Sequence, residues 1–374
     1  MVLGEMRRAP RSATQGSPVT QSGAYAYHLD AKAFAGYLTS LATYRGVRHI
    51  VDNVSEVELG ESGAIAAIHT ASGRKLEADL YIDCTGFASL LIERALGDKF
   101  VDWSCTLLCD RAVVLPVEHG DKPEMTPYTR ATAASAGWIW RIPLAQRTGN
   151  GYVYASRFID KDAAAQELLA SIGKAGDPDA KPMHLNMRIG RRSNFWLRNC
   201  VSIGLSAGFL EPLESTGIYL IQKGAELLLD HFPRSDFAPA LAQAYNAKMA
   251  RHYEEVRDFI VLHYLLSERD EPFWRASREV LLPPSLNHSL ALYDRTGLTD
   301  IDPGALFQAP SWYAIAAGQG RLPDAWHAMA DYTDVQAVDK ALDEIKARNF
   351  ALAEAMPDHG ELIKTLHKAR KRII

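Results

Sequence analysis

Two short apolar segments, each followed at once by a turn that contains glycine, restrict most strongly the folds open to this chain. Leu80-Tyr81-Ile82 leads into Asp83-Cys84-Thr85-Gly86-Phe87, and residues 199–203 lead into Gly204-Leu205-Ser206-Ala207-Gly208. A predicted helix and a predicted β-hairpin precede the first of these strands. A helix, a hairpin and a buried strand that ends in a glycine turn are typical of α/β domains that bind nucleotide cofactors.

Alternating hydrophobicity predicts further strands, and the helical period predicts further helices. The predicted elements are helices at 31–42, 163–172 and from 218 onward, and strands at 47–51, 54–59, 64–70, 112–117, 137–142 and 152–157. Residues 1–24 carry no apolar period and are interpreted as a loop or a frayed start. From about residue 233 the pattern is mostly helical, so we predict two domains, 1–232 and 233–374.

Composition excludes several classes of protein. The 41 Lys and Arg against 45 Asp and Glu give a formal net charge of −4, which provides no basic surface excess for a nucleic acid. No apolar run approaches the roughly 20 residues of a membrane helix, and no secretory signal is recognisable at the start. The cysteines lack the spacing of a disulfide or metal module, so we expect reduced thiols, no metal and a cytoplasmic location. They are Cys84, Cys105, Cys109 and Cys200.

The segment at 209–219 is the first candidate for chemistry. It reads Phe-Leu-Glu-Pro-Leu-Glu-Ser-Thr-Gly-Ile-Tyr and lies between a glycine turn and an amphipathic helix. The first amides of a helix lack internal acceptors and lie at the positive end of its dipole, so a small anion can bind there. Gly217 allows a ligand to approach the backbone and permits a conformation that larger residues avoid. The alternative is that Ser215 or Thr216 caps the helix and that Glu214 only favours its dipole.

The second candidate is the pair Trp138 and Trp140 in the predicted strand at 137–142. Alternate residues of a strand face the same side, so the two indoles would form one aromatic wall. The alternative is ordinary core packing, because a pair at this spacing is unsurprising in a chain with seven tryptophans.

Together, the two segments resemble the flavin-dependent tryptophan halogenase family. The resemblance rests on Trp138-Ile139-Trp140-Arg141-Ile142-Pro143, followed about seventy residues later by Glu211-Pro212-Leu213-Glu214-Ser215-Thr216-Gly217-Ile218. It extends through Ala26-Tyr27-His28-Leu29-Asp30-Ala31, both glycine turns, Arg257-Asp258-Phe259-Ile260 and His263-Tyr264. It implies an α/β, FAD-binding monooxygenase-like fold of the glutathione-reductase type, with an inserted substrate-side sheet in 1–232 and a mainly helical substrate-side cap in 233–374.

The resemblance also implies roles for the matching residues. Thr216 and Gly217 would bind chloride or bromide, and Glu214 would orient the halogenating species or take up the ring proton. Trp138 and Trp140 would screen the flavin side, and Phe273 with Trp274 would form an aromatic platform for the substrate. The residues expected to contact FAD are Val54, Gly86, Gly204, Leu205 and Ile218.

In this family, reduced FAD, oxygen and halide generate hypohalous acid, which halogenates an aromatic ring. The resemblance therefore implies FAD and halide as cofactors and a separate flavin reductase as a functional partner, and it leaves a homodimer open. Arg278 stands where members that use tryptophan carry Asn, and Glu268 fits their spacing only loosely. The substrate is accordingly predicted as an indole or a phenol, without a choice of ring position or halide.

Two features of the family are missing from this sequence. No G-x-G-x-x-G occurs, Gly149-Asn150-Gly151 being the nearest approach, and no lysine matches the family's catalytic lysine. We therefore expect a family member that lacks its N-terminal portion, with the first βαβ unit of the fold absent. Such a chain would expose apolar sheet edges, bind flavin weakly and be impaired as a halogenase. A flavin hydroxylase and a non-catalytic fragment remain as alternatives.

Overall fold

The computed structural model describes residues 2–11, 25–120, 125–235 and 237–370. In these residues the strands are β1 (Val54–Leu59), β2 (Ile65–Thr70), β3 (Lys75–Leu76), β4 (Tyr81–Asp83), β5 (Phe100–Asp102), β6 (Arg111–Val114), β7 (Val117–Glu118), β8 (Arg130–Ala134), β9 (Gly137–Pro143), β10 (Arg147–Tyr154), β11 (Met183–Asn186), β12 (Gly190–Arg192), β13 (Trp196–Leu197), β14 (Cys200–Ser202) and β15 (Gly208–Phe209). The helices are α1 (Val2–Glu5), α2 (Ala31–Tyr44), α3 (Lys161–Ser171), α4 (Thr216–Asp230), α5 (Pro239–Leu265), α6 (Pro272–Arg278), α7 (Pro284–Thr296), α8 (Ala309–Gly318), α9 (Val335–Ala355) and α10 (His359–Arg370).

The two strands that end in glycine turns pair with each other. β4 and β14 are parallel, with Tyr81 opposite Cys200 and Asp83 opposite Ser202. Since parallel strands end at the same edge of a sheet, the turns that follow them are neighbours. The amide of Ile203 donates to the carbonyl of Asp83 at 3.0 Å, which joins the two turns directly. The sequence prediction of an α/β arrangement is confirmed here.

A six-stranded antiparallel sheet forms the second layer. Its strand order is β11-β6-β10-β9-β8, and β7 also pairs with β10. Apolar residues of α3 pack on one face of this sheet, among them Ala164 and Leu168 against Tyr152. The opposite face carries Trp138 and contributes to the main core. The strand predicted at 152–157 is β10, which begins and ends earlier, at Arg147 and Tyr154. It includes Gly149 and Gly151, which the sequence pattern did not assign to a strand.

Helix α5 is the longest helix of the described chain and passes through the core. Its 27 residues span about 40 Å at 1.5 Å per residue. Its buried side chains, among them Tyr253, Phe259 and Tyr264, pack against strands of the α/β region and against later helices. The predicted boundary between residues 232 and 233 therefore lies just before a helix that contributes to a shared core, and the division into two domains stays a prediction.

Two interpretations of the N-terminal part were wrong. Residues 2–11 are not a frayed loop, since Ala9 is fully buried and its amide donates to the carbonyl of Pro357 at 2.9 Å. Residues 12–24 of the same interpretation lie outside the described residues. Residues 47–51 form no strand, because this extended segment pairs with no neighbour among the described strands.

The predicted helix at 31–42 is α2, and Asp30 caps it by accepting from the amides of Lys32 and Ala33 at 3.0 and 3.1 Å. None of its residues is buried, although its side chains follow an apolar period. On β4, Ile82 is also exposed. The absence of the first βαβ unit stays a prediction.

Candidate active site

The turn at 212–215 contains two consecutive residues in the left-handed region. Glu214 has φ 65° and ψ 12°, and Ser215 has φ 58° and ψ 34°. A β-carbon is crowded in this conformation, which costs roughly 1–2 kcal/mol per residue. The amide of Ser215 donates to the carbonyl of Pro212 at 2.9 Å and closes the turn. The strained turn presents Glu214 and the first turn of α4 at one place on the molecule.

The start of α4 is not capped by a side chain. Ser215 precedes the helix but makes no side-chain hydrogen bond to its amides. Thr216 is 1% exposed, and its Oγ1 is buried without a hydrogen-bond partner among the described residues. The alternative that Ser215 or Thr216 simply caps the helix is therefore wrong. Uncapped amides at the positive end of a helix, next to an unpaired hydroxyl, form a site suited to a small anion.

The backbone conformation of Gly217 differs from the expectation. Its φ lies outside the left-handed region, so its backbone is one that any residue can adopt. A Cβ built at Gly217 would meet no other protein atom within 4 Å. The expectation that Gly217 is required for an unusual conformation was wrong, because the strain lies at Glu214 and Ser215. The open space beside Gly217 agrees with the other part of the argument, that a ligand can approach the backbone there.

Glu214 faces a histidine of α5. Its Oε1 lies 3.5 Å from Nε2 of His263, and the carboxylate side chain is 42% exposed while the imidazole is 15% exposed. Nδ1 of His263 lies 2.8 Å from the carbonyl oxygen of Phe259, which fixes the orientation of the ring. The carboxylate is thus turned toward α5, and it is not a mere complement to the dipole of α4.

The two tryptophans do form one wall. Trp138 and Trp140 lie on the same face of β9, with ring centroids 5.9 Å apart and the planes inclined by 53°. The neighbouring strand is shaped to this wall, since a Cβ at Gly151 would come within 2.1 Å of the Trp140 ring. Gly149-Asn150-Gly151 therefore serves the packing of a sheet, which explains why the nearest approach to a dinucleotide motif has no helix after it.

A buried cluster around Glu211, next to the turn, was not predicted from the sequence. Glu211 is fully buried, and its Oε2 accepts from Nε1 of Trp138 at 2.9 Å and from the hydroxyl of Tyr264. The Tyr264 hydroxyl also lies 3.6 Å from Sγ of Cys109. Burial raises the pKa of Glu211 to about 7, although the donors Tyr264 and Trp138 lower it in part. The one signal in the sequence was a second carboxylate three residues before Glu214, which has no meaning until its partners are known.

The residues predicted to contact a flavin gather around the two glycine turns, apart from Val54. Gly86 and Gly204 have φ values of 68° and 76°, which other residues avoid, and no protein atom lies within 4 Å of a Cβ at Gly86. Leu205 and Ile218 are both exposed beside these turns. Val54 begins β1 in the separate hairpin sheet. Exposed apolar side chains next to left-handed glycines make a surface on which a flat, partly apolar group could lie.

Asp83 holds the first turn in place. Its Oδ1 accepts from the amide and the hydroxyl of Thr85 at 2.9 and 2.7 Å. Its Oδ2 accepts from the amides of Leu91 and Ile92, both at 2.9 Å, at the start of the π-helical turn Leu90–Ala95. A fully buried carboxylate with four donors fixes the backbone path through Gly86.

Phe273 and Trp274 are packed more deeply than a substrate platform requires. Both side chains are buried, and Nε1 of Trp274 donates to the carbonyl of Ala134 at 2.8 Å. Tyr264 contacts both rings, with centroids 5.7 and 5.6 Å away. Through these ring contacts, α6 packs against Tyr264 and so lies next to the site. Contact of Phe273 and Trp274 with a substrate stays a prediction.

Comparison with known proteins decides the family. The model of the family described as tryptophan halogenase matches residues 2–335. Tryptophan 7-halogenase RebH of Lentzea aerocolonigenes is 36% identical, in an alignment that covers 98% of this chain and 72% of the relative. Tryptophan 6-halogenase ThaL of Streptomyces albogriseolus is 37% identical over 92% of this chain and 68% of the relative. This chain belongs to the tryptophan halogenase family.

The fold agrees with that of solved halogenases. BrvH, a flavin-dependent halogenase from Brevundimonas sp. BAL3, superposes with a TM-score of 0.88 at 38% identity. The superposition covers 98% of this chain and 74% of BrvH. The family resemblance drawn from the two tryptophans and the segment at 209–219 is confirmed. The chain spans about 65–72% of the length of the curated tryptophan halogenases it matches.

As a family member, this chain is an oxidoreductase-type enzyme of the flavin-dependent class. Among the described helices, none combines the length and the apolar character needed to cross a membrane. In the part of the chain that the structure describes, no group of three or more His, Cys, Asp and Glu side chains is placed to hold a metal ion.

Proposed function

We propose that this chain is a halogenase that transfers chlorine or bromine to an indole or phenol ring, with the halide bound at the start of α4. The observation that carries the proposal is the uncapped helix start, where the Thr216 hydroxyl is buried without a partner and the space beside Gly217 is open. A hydroxylase has no use for an anion at this place. A halide accepts from N–H and O–H donors, so it would supply the partner that Thr216 lacks.

FAD fits the two glycine turns. Gly86 and Gly204 would let the backbone approach the cofactor, and the exposed side chains of Leu205 and Ile218 would contact its ring system. Val54, at the start of β1, would face the adenosine half. When bound and reduced, FAD supplies the oxygen chemistry that converts halide to hypohalous acid. We propose that a separate flavin reductase provides the reduced cofactor.

The side chains of this chain would direct the later step. Glu214 would lie beside the substrate ring and take up the proton of the carbon that gains the halogen. Trp138 and Trp140 would separate the substrate from the flavin side, because two large indoles fill one face of β9. Phe273 and Trp274 would support the substrate at a ring edge. The relatives RebH and ThaL are named for tryptophan, and we propose an indole or a phenol for this chain because Arg278 and Glu268 depart from the pattern of tryptophan-using members.

We further propose that the 374 residues alone bind FAD weakly and react slowly. The sequence contains no G-x-G-x-x-G, and no lysine matches the one that handles hypohalous acid in the family. In the family, that motif places a helix start at the pyrophosphate, and this sequence lacks the motif. An assay of this chain therefore needs FAD in large excess.

Mass spectrometry of the products tests the proposal. The protein is incubated with excess FAD, a flavin reductase, oxygen and a panel of indoles and phenols, with bromide, with chloride or without halide. We expect a halogenated product that requires added halide. An oxygenated product that forms equally well without halide would favour the hydroxylase, and no product with any substrate would favour the non-catalytic alternative.

A further inference from the structure

The pair formed by Glu214 and His263 has an unusual chemical property. Nδ1 of His263 lies 2.8 Å from the carbonyl oxygen of Phe259, and a carbonyl oxygen can only accept. Nδ1 must therefore carry a proton. In the neutral imidazole, Nε2 then has a lone pair, and this lone pair is 3.5 Å from the carboxylate oxygen Oε1 of Glu214.

Two acceptors facing each other form no hydrogen bond until one proton enters between them. In agreement with this, Nε2 of His263 is buried without a hydrogen-bond partner among the described residues. The ring cannot easily turn away, because Phe259 packs edge-on against it with centroids 4.9 Å apart. The backbone carbonyl of His263 is also held, by the side chain of Gln319 directly after α8, at 3.4 Å. The site has a vacant place for one proton.

Two carboxylates from the segment at 209–219 interact with the imidazole. Glu214 is the nearer and is partly exposed, whereas Glu211 is fully buried and interacts electrostatically with His263. Glu211 is already bonded to Trp138 and Tyr264. These bonds engage Oε2 of Glu211 and leave its Oε1 without a partner among the described residues, but it is Glu214 that lies within ion-pair distance of Nε2 of His263, so Glu214 is the group placed to exchange a proton with the ring.

We propose that His263 is a positioning residue that takes from Glu214 the proton removed from the substrate ring. This inference rests on the proposed halogenase function. The C–H bond breaks with its electron pair returning to the ring, and the proton passes to Glu214 and then to Nε2 of His263. Hypohalous acid supplies the halogen, and its hydroxide leaves as water with a proton from solvent. His263 finally releases its proton to solvent, so the sum is ArH + HOX → ArX + H₂O.

The first test is a measurement of the tautomer, which needs no turnover. Protein with ¹⁵N-labelled histidine is studied by long-range ¹H–¹⁵N correlation, and His263 is assigned from the signal lost in His263→Gln. We expect the neutral ring to carry its proton on Nδ1, and we expect Glu214→Gln to shift the Nε2 resonance because an amide donor replaces the carboxylate. A proton on Nε2, or an Nε2 resonance unaffected by Glu214→Gln, would overturn the pairing.

The second test is kinetic. The indole or phenol that gives the most halogenated product in the substrate panel above is compared with its ring-deuterated form, with bromide, in wild type, His263→Gln and His263→Asn. We expect kcat to fall on the order of 10–10²-fold in both variants with little change in KM, since acid–base groups contribute 10²–10⁴. We also expect an isotope effect on kcat that is absent in wild type, because loss of the ring proton becomes slow. His263→Asn keeps an N–H donor near the Phe259 carbonyl. If kcat falls equally in both variants, loss of the hydrogen bond to Phe259 does not explain the fall.

His252 provides a matched control on the same helix. Its Nδ1 lies 3.6 Å from Oε2 of Glu255, and its side chain is 14% exposed, close to the values for His263. It is eleven residues earlier, about 16 Å along α5. His252→Gln should leave kcat and the isotope effect unchanged. Unaltered kcat without an isotope effect in the His263 variants would overturn the relay. If wild type yields no halogenated product, the proposed function fails while the tautomer measurement still decides the pairing.

Discussion

Helix α2 and the segment at 209–219 contrast in what holds them in place. In α2, local signals agree with the structure, since Asp30 caps the helix and the apolar period is helical, yet Phe34, Tyr37 and Leu38 are 43, 61 and 44% exposed. In the segment at 209–219, local signals oppose the structure, because Glu214 and Ser215 adopt left-handed conformations that side chains avoid.

This contrast shows that tertiary contacts, and not local sequence preferences, determine the conformation of the site. Glu211 is bonded to Trp138 of β9 and Tyr264 of α5, and Glu214 faces His263 of α5. These partners lie far apart in the sequence and belong to two different elements, β9 and α5. On α2, and separately at Leu205 and Ile218 by the glycine turns, apolar side chains remain exposed, so we expect the anion and proton functions to be preorganised and the cofactor to be weakly held.

Glu214→Gln should produce the largest effect. The amide cannot accept a proton, so we expect halogenation to fall on the order of 10²–10³-fold while folding is retained. Initial rates with excess FAD and bromide measure it. Glu61→Gln, in the exposed turn between β1 and β2, serves as the control and should leave the rate unchanged. Near-full turnover of Glu214→Gln would remove Glu214 from the chemistry.

The second largest effect should be weak retention of FAD at the glycine turns, in contrast to the preorganised segment at 209–219. Because no pyrophosphate-binding motif is present, protein purified and passed through gel filtration should carry FAD far below one per chain. The absorption spectrum of the eluted protein measures the ratio. A stoichiometric flavin spectrum would mean that the glycine turns alone suffice to hold the cofactor, and the contrast between the two regions would disappear.

The buried carboxyl of Glu211 should make stability depend on pH. Its pKa of about 7 in the folded protein lies above the ordinary value of 4.5, so the folded state binds the proton more tightly. Stability from this group is full below about 4.5 and is lost as pH rises through about 7, on the order of 3 kcal/mol in all. Glu211→Gln keeps the shape and should remove this loss.

The measurement is urea unfolding of wild type and variant at pH 5 and pH 8. The difference between the two proteins isolates Glu211 from all other titrating groups, and Glu61→Gln should follow wild type. An equal pH dependence in wild type and Glu211→Gln would show that the carboxyl is already ionised at neutral pH in the folded state.

Relief of backbone strain should give the smallest effect. Ser215→Gly removes the Cβ from a left-handed residue and should stabilise the fold by about 1 kcal/mol. Ser40→Gly, within the exposed helix α2, should instead destabilise it by roughly 0.5–1 kcal/mol. Unfolding midpoints measure both. Changes of the same sign at the two positions would mean that the turn before α4 is not strained.

Much of the site could be predicted from the sequence where the signal is local. The strands that end in glycine turns, the helix after Ser215 and the shared face of Trp138 and Trp140 follow from periodicity and turn chemistry. The left-handed Glu214 could not be predicted, because its residue type argues against that conformation. Glu211 and His263 were named as parts of the family resemblance, but their roles were missed because their partners come from elements far away in the chain.

Anomalous diffraction from crystals grown with bromide tests the central claim most directly. Data collected at the bromine absorption edge should place a bromide ion at the start of α4, in contact with the amides of Thr216 and Gly217 and the Thr216 hydroxyl. Gly217→Val should fold, since no protein atom lies within 4 Å of a Cβ at this position. It should lack this bromide because the valine side chain occupies the space that the ion would fill. Bromide elsewhere on the surface, with none at Thr216 in wild type, would contradict the account.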